Sequence, residues 1–315
     1  MKDNRLLRPA EVLKADMALS DLTSGGKLVN DQFKKFYLIA IKNQVVMGRV
    51  RNVVLKRETT EIPMMSSFGT QVLHPGTESQ ALTLGQRVKP GFDKVTITST
   101  EVVCQADYPR YVLQDQVEGP QFKNTLITYL GLHVKRDFEN LIINGDTTST
   151  NTLLVLFNGL IAAATSNTYT AGGTTLSTAI LGSTRKTMPS EYKQQPNLVY
   201  LTNEYAFDDL WTEYESRGTQ LGDQKLTQGG STLPFRGKQV VEVPMFPDGL
   251  GLSADETAVL FLDPKQFIFG LHENLEMQSE YNIRERTWTV VMTARIGQSY
   301  EYEPSVVKTT GITGQ

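Results

Sequence analysis

A chain of 315 residues with 39% hydrophobic and 21% charged side chains has the composition of an ordinary folded protein, long enough to bury a sizeable core in one or two domains. Its net charge of −3 excludes the overall basic excess with which nucleic-acid binders displace counterions. Its single cysteine, Cys104, excludes an internal disulfide, and no run of residues has the length and apolarity of a membrane span.

In chain order, residues 1–40 read as an arm. A short amphipathic stretch (Val12, Leu13, Met17, Leu19) precedes Ser24-Gly25-Gly26, the alternative being a frayed terminus. A long hairpin follows. Val45, Val46, Val50, Val53, Val54 and Leu55 form a β-branched-rich first arm before Arg57-Glu58. Val95, Ile97, Glu101 and Val103 alternate with Thr96, Thr98, Thr100 and Val102 on the way back. The polar stretch between them, from Ser66 through His74-Pro75-Gly76 to Lys89-Pro90-Gly91-Phe92, is broken by Pro and Gly and projects as a long loop. Such a hairpin has too little apolar surface to stand alone, which points to a second copy of the chain as its support.

A helix then starts near Glu118-Gly119-Pro120, with Pro tolerated in the first turn. Phe122, Leu126, Leu130, His133 or Val134, Asp137 and Leu141 recur along it at helical spacing, and Asn144-Gly145-Asp146 stops it. Some two dozen residues at 1.5 Å each span about 35 Å, the length of a spine across a small domain. Thr147-Thr148-Ser149-Thr150 and Ala171-Gly172-Gly173-Thr174-Thr175 mark surface loops. Tyr205, Phe207, Trp211 and Tyr214 share helical spacing and read as core or interface packing. The stretch from Trp211 to Pro234, with Gly218, Gly222, Gly229 and Gly230, reads as a flexible loop.

Catalytic patterns are missing from the sequence. It has no phosphate-binding Gly-rich loop, no histidines at metal spacing and no nucleophile elbow. His74, His133 and His272 are far apart, His74 reading as a turn residue and His133 as a helix-face residue. Asp208-Asp209, Asp255, Glu256 and Asp263 read as solvated carboxylates. Cys104 sits in a strand-like run and reads as a small buried side chain. No enzyme activity, metal or cofactor is expected.

The order of these elements resembles the major capsid proteins of tailed bacteriophages over nearly the whole chain. The likeness rests on the arm, the polar hairpin, and the spine ending Asp137-Phe138-Glu139-Asn140-Leu141-Ile142-Ile143-Asn144-Gly145-Asp146, followed by Phe157-Asn158-Gly159-Leu160. It extends through Leu198-Val199-Tyr200-Leu201-Thr202-Asn203 with the following helix, Arg236-Gly237-Lys238-Gln239-Val240-Val241-Glu242-Val243-Pro244, and Ala258-Val259-Leu260-Phe261-Leu262-Asp263. The closing strand 286–297 ends Arg295-Ile296-Gly297 in the family's manner.

The resemblance implies an α+β fold with an N-terminal arm (1–40) and a peripheral domain assembled from 41–56, 96–148 and 282–315, including the spine helix 119–144. It adds an extended hairpin loop at 57–95 and an inserted axial domain at 149–281. It implies that Phe68, Leu73, His74, Leu82, Leu84, Lys89 and Phe92 of the hairpin meet a neighbouring subunit. Phe122, Leu126, Leu130, Val134 and Leu141 would pack the spine, and Arg217, Gly218, Gln220 and Lys225 would line the capsomer axis. The implied function is a structural shell protein, self-assembling into hexamers and pentamers of an icosahedral head that encloses double-stranded DNA. Its partners would be other copies, a scaffolding protein, a portal, decoration proteins and non-specifically contacted DNA, with no membrane. The implied location is the virion, after assembly in the host bacterial cytoplasm. A separate scaffold is implied because the chain lacks the long charged N-terminal extension of some relatives. Lys56, Lys89 and Lys94 flank the hairpin, but no acceptor asparagine or carboxylate aligns with those that cross-link some relatives. Two alternatives stand beside this reading: an encapsulin-like nanocompartment shell of the same fold, and a hydrolase or transferase with an inserted domain.

Overall fold

The computed structural model describes residues 44–66, 72–76, 81, 83–84, 87, 91–111, 122–216, 232–250, 255–272 and 276–313. The expected arm (1–40) and capsomer-axis loop (217–225) lie outside them.

Two sheets, one hairpin and a spine helix organise the chain. The first sheet contains β1 (Arg51–Val54), β4 (Thr100–Pro109), β10 (Phe267–Leu271), β11 (Glu276–Asn282) and β12 (Thr287–Tyr300). β12 is its axis. It pairs antiparallel with β4 from Thr287 to Ile296, with β11 over its first half and with β10 over its last residues, and β10 in turn carries β1 in parallel. The second sheet has the order β5 (Thr168–Thr174), β13 (Val307–Thr313), β9 (Glu256–Leu262), β6 (Val199–Thr202), β8 (Lys238–Glu242) and β7 (Thr232–Phe235). The remaining strands, β2 (Thr59–Ser66) and β3 (Gly91–Thr98), pair only with each other among the described residues.

The spine helix α1 (Phe122–Asn144) ends where its Asn-Gly-Asp stop signal predicts. A one-turn helix α2 (Leu160–Ala163) follows it. The Asn-Gly-Asp and Phe-Asn-Gly-Leu segments interlock: the Gly159 N–H donates to the Gly145 carbonyl at 2.8 Å, and the Asn158 Oδ1 accepts from the Thr147 N–H at 3.0 Å. Leu141, Ile142, Ile143, Phe138 and Val134 of α1 bury into one core with Phe269, Met292, Ala294 and Ile296 of the first sheet. The same core takes Leu201, Val241, Leu260 and Leu262 from one face of the second sheet. The opposite face of that sheet, with Tyr200, Val240, Val259 and Phe261, is covered by helices α3 (Thr178–Thr187) and α4 (Glu204–Glu215). β9 therefore buries both faces, which is why its sequence is an unbroken apolar run rather than an alternating one. Ser177 and Asn203 cap α3 and α4 through side-chain oxygens, placing both helix starts.

Three expectations are corrected. The first hairpin arm is not the valine-rich run 45–55. Val46 and Val50 sit in a turn buried in the main core, and β1 pairs with β10. The β-branched richness there reflects burial under the first sheet, while the true arm, Thr-Thr-Glu-Ile-Pro-Met-Met-Ser, exposes Thr59, Glu61 and Pro63 on one side and half-buries Thr60, Ile62 and Met64 on the other. On the return side the hairpin ends at Thr98, and Glu101 to Val103 belong to β4 after a break at Ser99. The sheets also divide the chain elsewhere than at Tyr281: strands 267–271 and 276–282 lie in the first sheet with β12, and 307–313 returns to the second. Tyr281 lies inside β11, paired with Trp288, whereas the change of sheet happens at Asp263, the cap of a short 3-10 turn after β9.

A candidate subunit-interaction surface and its anchor

The chain leaves the first sheet at Leu55, runs out along β2, and returns along β3 to re-enter at Thr100. Eight cross-strand pairs from Thr59–Thr98 to Ser66–Gly91 hold the two arms together. Where they meet the body, Leu55, Ile97 and Ile268 form a small fully buried knot, with Val53, Ile62 and Val95 packed around it. Leu55 N–H donates to the Leu271 carbonyl at 2.8 Å, and Ser99 donates to the Glu58 carbonyl through both N–H (2.8 Å) and Oγ (3.1 Å). Gly270 and Gly297 lie opposite each other on β10 and β12, beneath this knot. A Cβ on Gly270 would stand 2.6 Å from Leu55 Cδ1, and one on Gly297 would stand 2.6 Å from the Thr98 carbonyl oxygen. The two missing side chains are thus the space into which the hairpin base fits. Glu58, Thr98, Ser99, Thr100, Glu101 and Arg295 line a polar cleft of about 350 Å³ beside it.

Glu61 and Lys94 pair across the hairpin's exposed face at 2.6 Å, a contact worth little in water. Phe92 is 76% exposed, Leu73 86% and Leu84 81%. These are large apolar side chains left in solvent on the described part of the hairpin and its connecting segment. His74 is half-buried. Phe68, Leu82 and Lys89, the other expected contacts, lie outside the described residues.

The spine is tied to the segment entering β1 by an inward carboxylate. Glu139 is fully buried, and its Oε1 accepts from the Val45 and Val46 N–H groups at 2.7 and 3.0 Å while Oε2 accepts from Met47 N–H at 3.1 Å. Three charge-assisted bonds offset the desolvation of the group and fix the turn 46–50 over α1. Of the expected spine contacts, Val134 and Leu141 are buried, Leu130 packs half-buried against the same core, and Leu126 is half-buried; the Phe122 side chain lies outside the described residues. Glu139 was missed as a site residue although its sequence carries a signal: a carboxylate between Phe138 and Leu141-Ile142-Ile143 has to find donors inside.

Among the described residues no three His, Cys, Asp or Glu side chains converge to hold a metal. Burial, and then the nearby Asp137, push the Cys104 thiol upward, which favours its protonated form.

Comparison with known proteins gives this geometry its family. The model of the phage capsid family matches residues 25–304. The chain belongs to that family. The curated relative named "Putative prophage capsid protein YqbE", from Bacillus subtilis (strain 168), is 27% identical over 308 residues, covering 96% of this chain and 98% of the relative. The phage capsid fold recurs in the capsid of a native GTA particle (TM-score 0.67, 12% identity, 94% of this chain and 99% of that one). It recurs equally in the capsid of Ralstonia phage GP4 (TM-score 0.67, 10% identity, 92% and 96%). An encapsulin complex from Synechococcus elongatus PCC 7942 shares it at TM-score 0.60 with 10% identity, over 98% of this chain and 97% of that one. The chain is a structural capsid protein, and the hairpin, spine and two sheets are the parts of a capsid subunit.

Proposed function

We propose that this capsid protein assembles into hexamers and pentamers that close an icosahedral phage head around double-stranded DNA, with no catalytic step of its own. The hairpin of each subunit lies over its neighbour and buries Phe92, Leu73 and Leu84 there. The observation that carries this reading is that, among the described residues, β2 and β3 pair with nothing but each other, while Leu55 and Ile97 root them in the body. An element rigid at its base and apolar at its far end lowers the ordering cost of docking on a second copy. In this reading the first sheet with α1 forms the peripheral part and the second sheet with α3 and α4 the axial part. A separate scaffolding protein, a portal and decoration proteins complete the particle, and assembly takes place in the bacterial cytoplasm. Electron microscopy and light scattering of the expressed chain test it: rings, tubes or shells of megadalton mass are expected, and a protein that stays monomeric near 35 kDa at high concentration, with scaffold supplied, overturns it.

The encapsulin likeness supports a second reading, a cellular compartment shell. The content of purified particles separates the two: DNA for a phage head, a co-purifying enzyme for a compartment.

A further inference from the structure

Helices α3 and α4 lie on the same face of the second sheet and carry opposite charges. Glu204, Asp208 and Glu215 of α4 fall at helical spacing on its exposed side, and the helix contains no lysine or arginine. The Glu215 Oε1 accepts from Trp211 Nε1 at 2.9 Å. Glu242 on β8 adds to this field: burial, then Glu204 and Asp208, hold its carboxyl above the usual range. The last turn of α3 carries Arg185 and Lys186. Arg185 reaches the turn between β7 and β8, its Nη1 lying 3.5 Å from the Arg236 carbonyl oxygen. Neither arginine forms an ion pair with a described carboxylate.

Three further observations describe the surroundings of this turn. Arg236 adopts φ 47° and Gly237 φ 77°, a two-residue hairpin turn whose first position favours Asn, Asp or Gly over a long side chain. The guanidinium of Arg236 stands 5.3 Å from the centre of the Phe235 ring, which meets the Tyr200 ring edge-on at 6.0 Å. Tyr200 is fully buried, its hydroxyl has no hydrogen-bond partner among the described residues, and it lies in the field of both Arg185 and Arg236. Two like charges at the β7–β8 turn, with no ion-pair partner among the described residues, form an arrangement that an incoming carboxylate would complete.

We propose that the Arg185–Arg236 pair is the docking site for the Glu204–Asp208–Glu215 stripe of helix α4 on a neighbouring copy of this chain, a head-to-tail contact repeated around each ring. This rests on the ring-forming shell reading above. Unlike patches meeting in one sense of rotation generate closed rings, and arginine's planar fork suits carboxylate recognition. Such a contact also sets register and selects the correct partner face.

The test uses two charge-reversed full-length chains, R185E/R236E and E204R/D208R, beside the unaltered chain. Each variant is first verified as a folded subunit by circular dichroism and thermal melting. Alone, each variant places like charges at every such contact and forms no rings. Mixed in equal amounts, they alternate, and alternation closes around six subunits but not five. Six-membered rings, tubes or flat sheets without closed shells are therefore expected, with pelletable material restored from near zero to more than half of the unaltered level. Assembly of either variant alone at the unaltered level overturns the inference, as does a mixture of two folded variants that stays unassembled. Normal shells that package less DNA would overturn it too and assign the arginines to phosphate. Failure of the unaltered chain to form rings would instead overturn the shell reading.

Discussion

Gly270 and Gly297 are directly opposed partners across β10 and β12, and the base of the hairpin rests in the space that their absent side chains leave. The two positions differ in what surrounds them. At Gly270 the obstacle is the Leu55 side chain; at Gly297 the closest atom is the Thr98 backbone carbonyl oxygen. Gly270→Ala is therefore expected to destabilise the subunit by about 1–3 kcal/mol and to be partly rescued by Leu55→Val, because overpacking is relieved when its neighbour shrinks. Gly297→Ala has no such rescue through Ile97→Val. Urea denaturation of the four single and two double variants measures the difference, and equal rescue at both positions would contradict the geometry.

Position along the hairpin separates folding from assembly. Leu55 is fully buried at its base, and Leu55→Ala is expected to cost about 2–5 kcal/mol of subunit stability. Phe92→Ser and Leu84→Ser, far out on the exposed part, are expected to leave stability within about 0.5 kcal/mol while abolishing particle formation. Thermal melting paired with sedimentation of assembled material reads both effects from one preparation.

Glu139 offers a third measurement. Glu139→Gln keeps the shape but turns one acceptor oxygen into an NH₂ group facing a backbone N–H of the 45–47 turn, and a cost of about 1–3 kcal/mol is expected for the donor left without an acceptor. Limited proteolysis should show faster cleavage at Arg49 in the variant, because the turn that encloses it is no longer pinned to α1.

The valine-rich run before β1 shows how far periodicity reaches. The stretch Val45 to Leu55 reads as a hairpin arm, whereas Val46, Val50 and Leu55 are buried in the body; what periodicity does not encode is which strand lies alongside. The polar β2 arm, with Pro63 inside it, carries almost no strand signal, because an exposed two-stranded ribbon tolerates proline and needs no apolar face. Spine, stop signal and β9 were legible for the opposite reason: each is driven by local spacing or by burial on both faces. The glycine seat at 270 and 297 and the Glu139 clamp depend on partners more than 90 residues away in the chain and leave only faint local marks.

The acidic side of α4 makes a prediction about pH. The carboxyl of Glu242 is raised by burial, then by Glu204 and Asp208, so the fold favours its protonated form. A raised carboxyl contributes stability that is present below the ordinary glutamate value of about 4.3 and is lost as pH rises through the folded value. At neutral pH the ionised group is a net cost. Glu242→Gln should raise the melting temperature of the unassembled subunit at pH 7, and the gain should disappear below about pH 4. A gain that is the same at both pH values would show that charge is not its cause.

The seat of β13 bears on the order of events during synthesis. Residues 307–313 insert between β9 and β5, next to the edge of the second sheet and 140 residues from Thr168, with which Lys308 pairs. Until that stretch leaves the ribosome, β9 has an open edge and Val307 and Ile312 are missing from the core that α3 and α4 cover. A polypeptide without that stretch therefore lacks the strand that joins β5 to β9, and the second sheet is completed only when residues 307–313 pair on both sides.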